Sequence, residues 1–116
     1  MGYVNLDILK QMSIDVGEEM LGTLITFFVD DTNERIRAFR VQLEQKDYAN
    51  LGISAHTIKS VCAQYGVMEC SAKAKELELI CRGKDPEARE GEIRTRVEEL
   101  CRDLAAAVVE IKNITL

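Results

Sequence analysis

Tryptophan is missing from this chain, proline and histidine occur once each, and the aromatic side chains are three Phe and three Tyr. Strands favour aromatic and β-branched residues, so this scarcity, set beside abundant Leu, Ala, Glu, Lys and Arg, points to helices. No G-x-S-x-G, H-E-x-x-H, EF-hand or glycine-rich phosphate loop is present, which removes the hydrolase, metalloprotease, calcium and nucleotide chemistries those motifs carry. The four cysteines, Cys62, Cys70, Cys81 and Cys101, contain no C-x-x-C pair, so they are expected to be small reduced core residues rather than zinc or redox groups. A long hydrophobic run is lacking too. The most apolar stretch, Leu21 to Val29, is interrupted by Gly22 and Thr23 and follows Glu18 and Glu19, whereas a membrane span needs about 20 apolar residues and a secretory leader needs a basic start. Nor is there a basic tail: 15 Lys and Arg face 20 Asp and Glu, giving a net charge of -5. Non-specific nucleic-acid binding draws its affinity from clustered cations, so that class is excluded. The expectation is a cytoplasmic protein with no membrane and no nucleic-acid partner.

What is present is helical periodicity over 116 residues, the length of one domain, taken as 1–116. Asn5 is placed to cap a short helix from about Leu6 to Met12. Asp15, with Glu18 three residues on, has capping-box spacing and predicts the start of a long helix to about Gln45. Its apolar stripe is Leu21, Leu24, Ile25, Phe28, Ile36, Phe39 and Leu43, and it stays in phase across the turn-prone stretch Asp30 to Asn33. Asp47 caps a third helix with the stripe Leu51, Ala55, Ile58, Cys62 and Tyr65, ended by Gly66. A fourth runs from about Met68 to Arg82, with Cys70, Ala74, Leu77 and Cys81 inward, and stops at Gly83. Asp85-Pro86, an N-cap before a proline at the first helical position, opens the last helix. That helix aligns Ile93, Val97, Leu100, Leu104, Val108 and Ile111 and ends near Lys112. The fold class expected is all-α: an antiparallel four-helix bundle with a short N-terminal capping helix.

The single histidine is the one place for chemistry. At about 100° per residue, His56 projects roughly 140° from the middle of its helix's apolar stripe and is expected to face solvent. Its own face carries Gly52, Lys59, Ser60 and Ala63, mostly small residues, so a flat surface can approach the imidazole. Gly52 costs about 1 kcal/mol relative to Ala in a helix interior, which is explained if a side chain there would obstruct that surface. The rival explanation is helix–helix packing. An exposed histidine is partly neutral at pH 7, so a ring nitrogen is available as a nucleophile without a buried base, and can accept a phosphoryl group. Lys59, one turn along, is placed to favour the phosphorylated state, whereas a carboxylate there would repel it. Taken alone, a histidine with a lysine three residues on is equally a solvated face.

The longer string Ala55-His56-Thr57-Ile58-Lys59-Ser60, followed by Gly66, Ala74 and Leu77-Glu78 and preceded by a long helix with Phe28 and Asp30-Asp31, resembles the histidine phosphotransfer (HPt) family of bacterial two-component phosphorelays. The resemblance covers Leu6 to about Ile111. It implies that His56 takes a phosphoryl group from the aspartate of one receiver domain and passes it to another, that Lys59 stabilises the phosphohistidine, and that Gly66 turns the chain out of the active helix. Ser60 departs from the family's usual glycine. The partners implied are receiver domains of a hybrid sensor kinase, a response regulator or both. The Mg²⁺ and acidic pocket are implied to belong to the receiver, so the chain is expected to carry no metal or cofactor and to act as a relay intermediate, not an autonomous enzyme. Ile53, about 60° round from His56 and off the core stripe, is the candidate apolar contact for the partner, with Gly52, Ser60 and Ala63 beside it and Ile14, Val16 and Met20 as extensions. A monomer standing as a separate protein is expected.

Three rivals are weighed against this. A kinase dimerisation domain would show an acidic residue after the histidine and a proline shortly beyond, but Thr57 follows His56 and the one proline is Pro86. A metal or haem bundle needs more ligands than one histidine supplies. A helical adaptor that binds receiver-like partners without phosphotransfer is the remaining alternative.

Overall fold

The computed structural model describes residues 2–114; Met1, Thr115 and Leu116 lie outside the described residues. Asn5 begins the first helix by accepting the Asp7 amide N–H on its side-chain oxygen at 3.0 Å, and α1 then spans Leu6–Val16. Here the sequence expectation is corrected. Asp15 does not cap the next helix: it lies inside α1, where its carboxylate accepts from the Gln11 amide at 2.9 Å. The joint is Gly17, at φ 88°, a conformation that costs glycine little and other residues more. Its N–H closes α1 onto Ser13 O at 2.8 Å, and its carbonyl accepts from Leu21 at 2.9 Å to open the long helix.

That helix, α2, runs Glu18–Glu44 with no break at Asp30 to Asn33. Burial explains the continuity, since Thr32 is fully buried and Phe28, Phe39 and Leu43 are all in the core. A helix whose apolar stripe packs against neighbours does not depend on local propensity. Asp47 caps α3, Tyr48–Gln64, by accepting from Asn50 N–H at 3.2 Å. All five stripe residues of α3 are buried. At its end Gly66 takes φ 80°, and a Cβ there would stand 3.0 Å from the Asn5 carbonyl oxygen. The Gly66 carbonyl in turn accepts the Asn5 N–H at 2.9 Å, so the N-terminal segment seals the α3–α4 turn.

Next comes α4, Met68–Cys81. Asp85 adopts a left-handed backbone with no side-chain cap, and Pro86–Arg89 form a 3-10 turn before α5, Glu90–Lys112. Asp85-Pro86 therefore starts a 3-10 turn and not the α-helix itself. Helices α2, α3, α4 and α5 each pack on two of the other three, and α1 lies on α2. The core is one cluster, from Leu9 through Phe28, Ile58 and Leu77 to Ile111. Each large side chain it buries contributes about 1.5–3 kcal/mol. The four cysteines are free and buried, and burial pushes the Cys81 and Cys101 thiols up to about 11 and the Cys70 thiol to about 12. Such thiols are poor nucleophiles. No helix among the described residues is long and apolar enough to cross a membrane.

Candidate functional site

Three side-chain hydrogen bonds fix how α3 is presented. On one flank Ser54 donates to Gln42 of α2 at 2.9 Å and accepts from Arg35 at 3.3 Å. On the other, Ser71 of α4 donates to the backbone carbonyl of Lys59 at 2.8 Å. The rotation and register of α3 are thereby held from both sides, and His56 points away from the core with 53% of its side chain exposed.

The imidazole is not alone there. Glu78, on α4, is 8% exposed at its side chain and reaches across the α3–α4 seam. Its Oε2 lies 2.8 Å from His56 Nδ1 and 3.0 Å from an Arg82 guanidinium nitrogen, while Oε1 accepts from Lys59 Nζ at 2.7 Å. One expectation is corrected by this geometry: the histidine, read as standing without a buried base, has a nearly buried anionic partner supplied from across the seam. The carboxylate is tolerated because Lys59 and Arg82 offset its charge. Glu78 stands in the Leu77-Glu78 motif of the sequence, but no one-dimensional signal ties it to a residue 22 positions earlier on another helix.

The tautomer follows from charge. The Glu78 carboxyl is held below its ordinary value of 4.5, chiefly by the hydrogen bond from Lys59, against the upward push of burial and with help from His56. An ionised carboxylate accepts only, so the proton of the neutral ring sits on Nδ1. Nε2 is left with its lone pair.

Of the other sequence candidates, Ile53 is 54% exposed and Ser60 is exposed, its hydroxyl donating to the His56 carbonyl at 3.4 Å. Ala63 is half-buried. Gly52 is corrected: it is buried, because Arg82 lies across it, with Arg82 Cγ 3.2 Å from where a Cβ would stand. Its smallness serves contact with α4, so the helix–helix alternative holds at this position. Ile14, Val16 and Met20 are all exposed, joined by Phe27, which sequence reasoning did not single out. A surface depression of about 380 Å³ lies between α2 and α5, rimmed by Arg40, Glu44, Arg94 and Glu98, and shares no residue with the histidine site. The half-exposed imidazole lies outside that depression. Among the described residues no group of three or more His, Cys, Asp or Glu is gathered to hold a metal.

The family model described as Hpt domain matches residues 23–110. The chain belongs to the Hpt domain family. No curated protein and no solved structure matches it. The match begins inside α2, so α1 and the N-terminal seal on Gly66 stand outside it, while the whole His56–Lys59–Glu78–Arg82 constellation of this Hpt domain falls within it.

The acid sensitivity of the constellation has a definite sign. A carboxyl whose folded value is depressed stabilises the fold above its unfolded value, and that contribution is lost as pH falls through the folded value. Glu78 is one such group. Asp103 is another: burial, the largest influence, pushes it up, but hydrogen bonds from Lys73 and Tyr3 outweigh burial and leave it below its ordinary 3.8. Urea unfolding midpoints are expected to hold above about pH 5 and to decline progressively below it. Glu78→Gln is expected to flatten part of that decline; a parallel curve would show that Glu78 does not carry it.

Proposed function

We propose that this Hpt domain relays a phosphoryl group between aspartates of receiver domains, with His56 as the phosphoacceptor and Lys59 as the phosphate-stabilising cation. The observation that carries the reading is the hydrogen bond from His56 Nδ1 to Glu78, which favours the Nδ1–H tautomer and supports Nε2, on an exposed side chain, as the nucleophile. In the forward step the Nε2 lone pair bonds to phosphorus as the P–O bond to the receiver's aspartyl carboxylate breaks. The carboxylate leaves with the electron pair, and the ring takes a positive charge with its proton still on Nδ1. Glu78 is then opposite a cation rather than a neutral ring, so the bond strengthens as the intermediate forms. Reversal onto a second receiver's aspartate completes the relay.

The chain supplies a positioned nucleophile, and Mg²⁺ with its acidic pocket is assigned to the receiver, where developing charge on the phosphoryl group is met. An exposed imidazole suits a protein partner whose own cleft closes over it. Ile53, Ser60 and Ala63 are read as part of the docking face, with Gly66 as the turn that ends the active helix. Packing of α2 to α5 in a ring is read as the antiparallel four-helix arrangement expected of residues 1–116, acting in the cytoplasm as a monomer.

The test is to mix the protein with a labelled phospho-receiver and Mg²⁺. Label should move to the chain in a form that is acid-labile and base-stable. Folded protein that takes no label from several receivers would leave the non-transferring adaptor as the better reading. A companion prediction addresses the tautomer. Glu78→Gln keeps the shape but replaces an anion with a dipole that can present N–H to the ring, and uptake is expected to fall roughly tenfold to a hundredfold, as for other groups that orient a functional histidine. Imidazole nitrogen shifts in NMR should show the Nδ1–H form weakened in that variant.

A further inference from the structure

Arg82 sits where the four-residue site has more positive charge than its ground state needs. Glu78 carries one negative charge, while Lys59 and Arg82 both pair with it, so beside a neutral imidazole the cluster is left with one net positive charge. Phosphorylation of Nε2 adds a phosphoryl group of about -2 and a ring charge of +1. The cluster then becomes neutral with Arg82 present, and carries a net negative charge without it. The position of Arg82 is equally specific. It is the C-cap of α4, and its side chain does not run into solvent but folds back over α3 at Gly52, one turn before His56, with Cγ 3.2 Å and Nε 3.5 Å from where a Cβ would stand. Only one of its guanidinium nitrogens lies in the ion pair with Glu78, and the side chain remains 52% exposed. Its other donors lie outside that pair and can turn toward a group carried by the ring.

We infer that Arg82 is a second phosphoryl-binding cation, held on Glu78 in the free protein and kept alongside His56 by the gap that Gly52 leaves. This rests on the phosphotransfer reading above and extends it to a residue on a different helix. When the ring becomes cationic it competes with Arg82 for the shared oxygen Oε2, which releases guanidinium donors toward the phosphoryl oxygens. Gly52 is then a positioning residue: an alanine would gain helix propensity yet crowd the Arg82 side chain, which must shift on the seam to admit it.

The experiment phosphorylates the protein with phosphoramidate, a donor that needs no receiver, and follows the lifetime of phosphohistidine. It also measures the equilibrium share of label between His56 and a receiver. Wild type is compared with Arg82→Gln, Arg82→Lys, Gly52→Ala and the Gly52→Ala/Arg82→Gln double variant, all checked for unfolding midpoint. A cation on a dianionic phosphoryl group stabilises it more than the charge-dispersed transition state of its loss. Arg82→Gln should therefore shorten the lifetime and lower the share on His56 by roughly fivefold, the size of a partly exposed ion pair. Arg82→Lys should recover most of this. Gly52→Ala should give a comparable loss with no drop in unfolding midpoint, and should add nothing once Arg82 is gone, because its effect runs through that side chain. Wild-type lifetime and share in Arg82→Gln, or an undiminished Gly52→Ala effect in its presence, would overturn the assignment while leaving the relay intact. Should Arg82→Gln not fold, a Lys variant no better than Gly52→Ala overturns it equally. Failure of wild type to take label from either donor would instead remove the relay reading and this inference with it.

Discussion

His56→Gln is expected to abolish phosphoryl uptake, a fall of more than about a hundredfold, while leaving the bundle intact. Glutamine is a demanding control here because it preserves so much. Its amide can still donate an N–H to Glu78, so Lys59, Arg82 and the carboxylate keep their arrangement, and the residue is exposed enough that packing is hardly touched. What disappears is the ring lone pair, since an amide nitrogen is delocalised into its carbonyl. Label uptake and unfolding midpoint are to be measured on the same preparations. Residual uptake in the variant at more than a few per cent of wild type would mean that another group accepts the phosphoryl, and the proposed role of His56 would fall. The buried cysteines offer no such alternative, because their thiols are raised and enclosed.

The direction in which His56 points was legible in the sequence because one helix sets it. Five buried residues, Leu51, Ala55, Ile58, Cys62 and Tyr65, define the inner face, and the opposite face follows from 3.6 residues per turn. The electrostatics were not legible, because they depend on which turn of α4 stands beside which turn of α3. That register brings Glu78 to His56 and Arg82 to Gly52, and it is set by contacts such as Ser71 to the Lys59 carbonyl that no periodicity encodes. Gly52 shows the difficulty in one residue. A glycine on the histidine's face reads equally as room for a partner and as room for a neighbouring helix, and only the path of the Arg82 side chain decides. The same holds at the α1–α2 joint, where Asp15 and Glu18 have capping-box spacing but Gly17 lies between them. The residue free to take φ 88° sets the boundary, and Asp15 is left to bond within α1.

Phe28→Ala is expected to cost about 3–5 kcal/mol of folding stability, a large share of the roughly 5–15 kcal/mol that holds a domain together. Phe28 is 1% exposed, and its ring lies 5.0 Å from that of Tyr65 at a tilt of 47°. Tyr65 is the C-cap of α3, and the next residue is Gly66, whose carbonyl holds the Asn5 N–H. Truncation therefore opens a cavity where α2, the end of α3 and the seat of α1 meet. The near-complete enclosure of Phe28 puts the cost toward the upper end of the range. Phe28→Leu fills most of that space and should cost about 1.5 kcal/mol or less. Urea unfolding of the two variants measures both values, and a Phe28→Ala loss near 1 kcal/mol would show that the joint relaxes around the gap. Because Glu78 is supplied by α4 and the register of α3 is held by Ser54 and Ser71, the His56 site does not depend on this ring. Phosphoryl uptake per folded molecule should stay near wild type in both variants, separating the residue that holds α3 in the bundle from those proposed to perform the transfer.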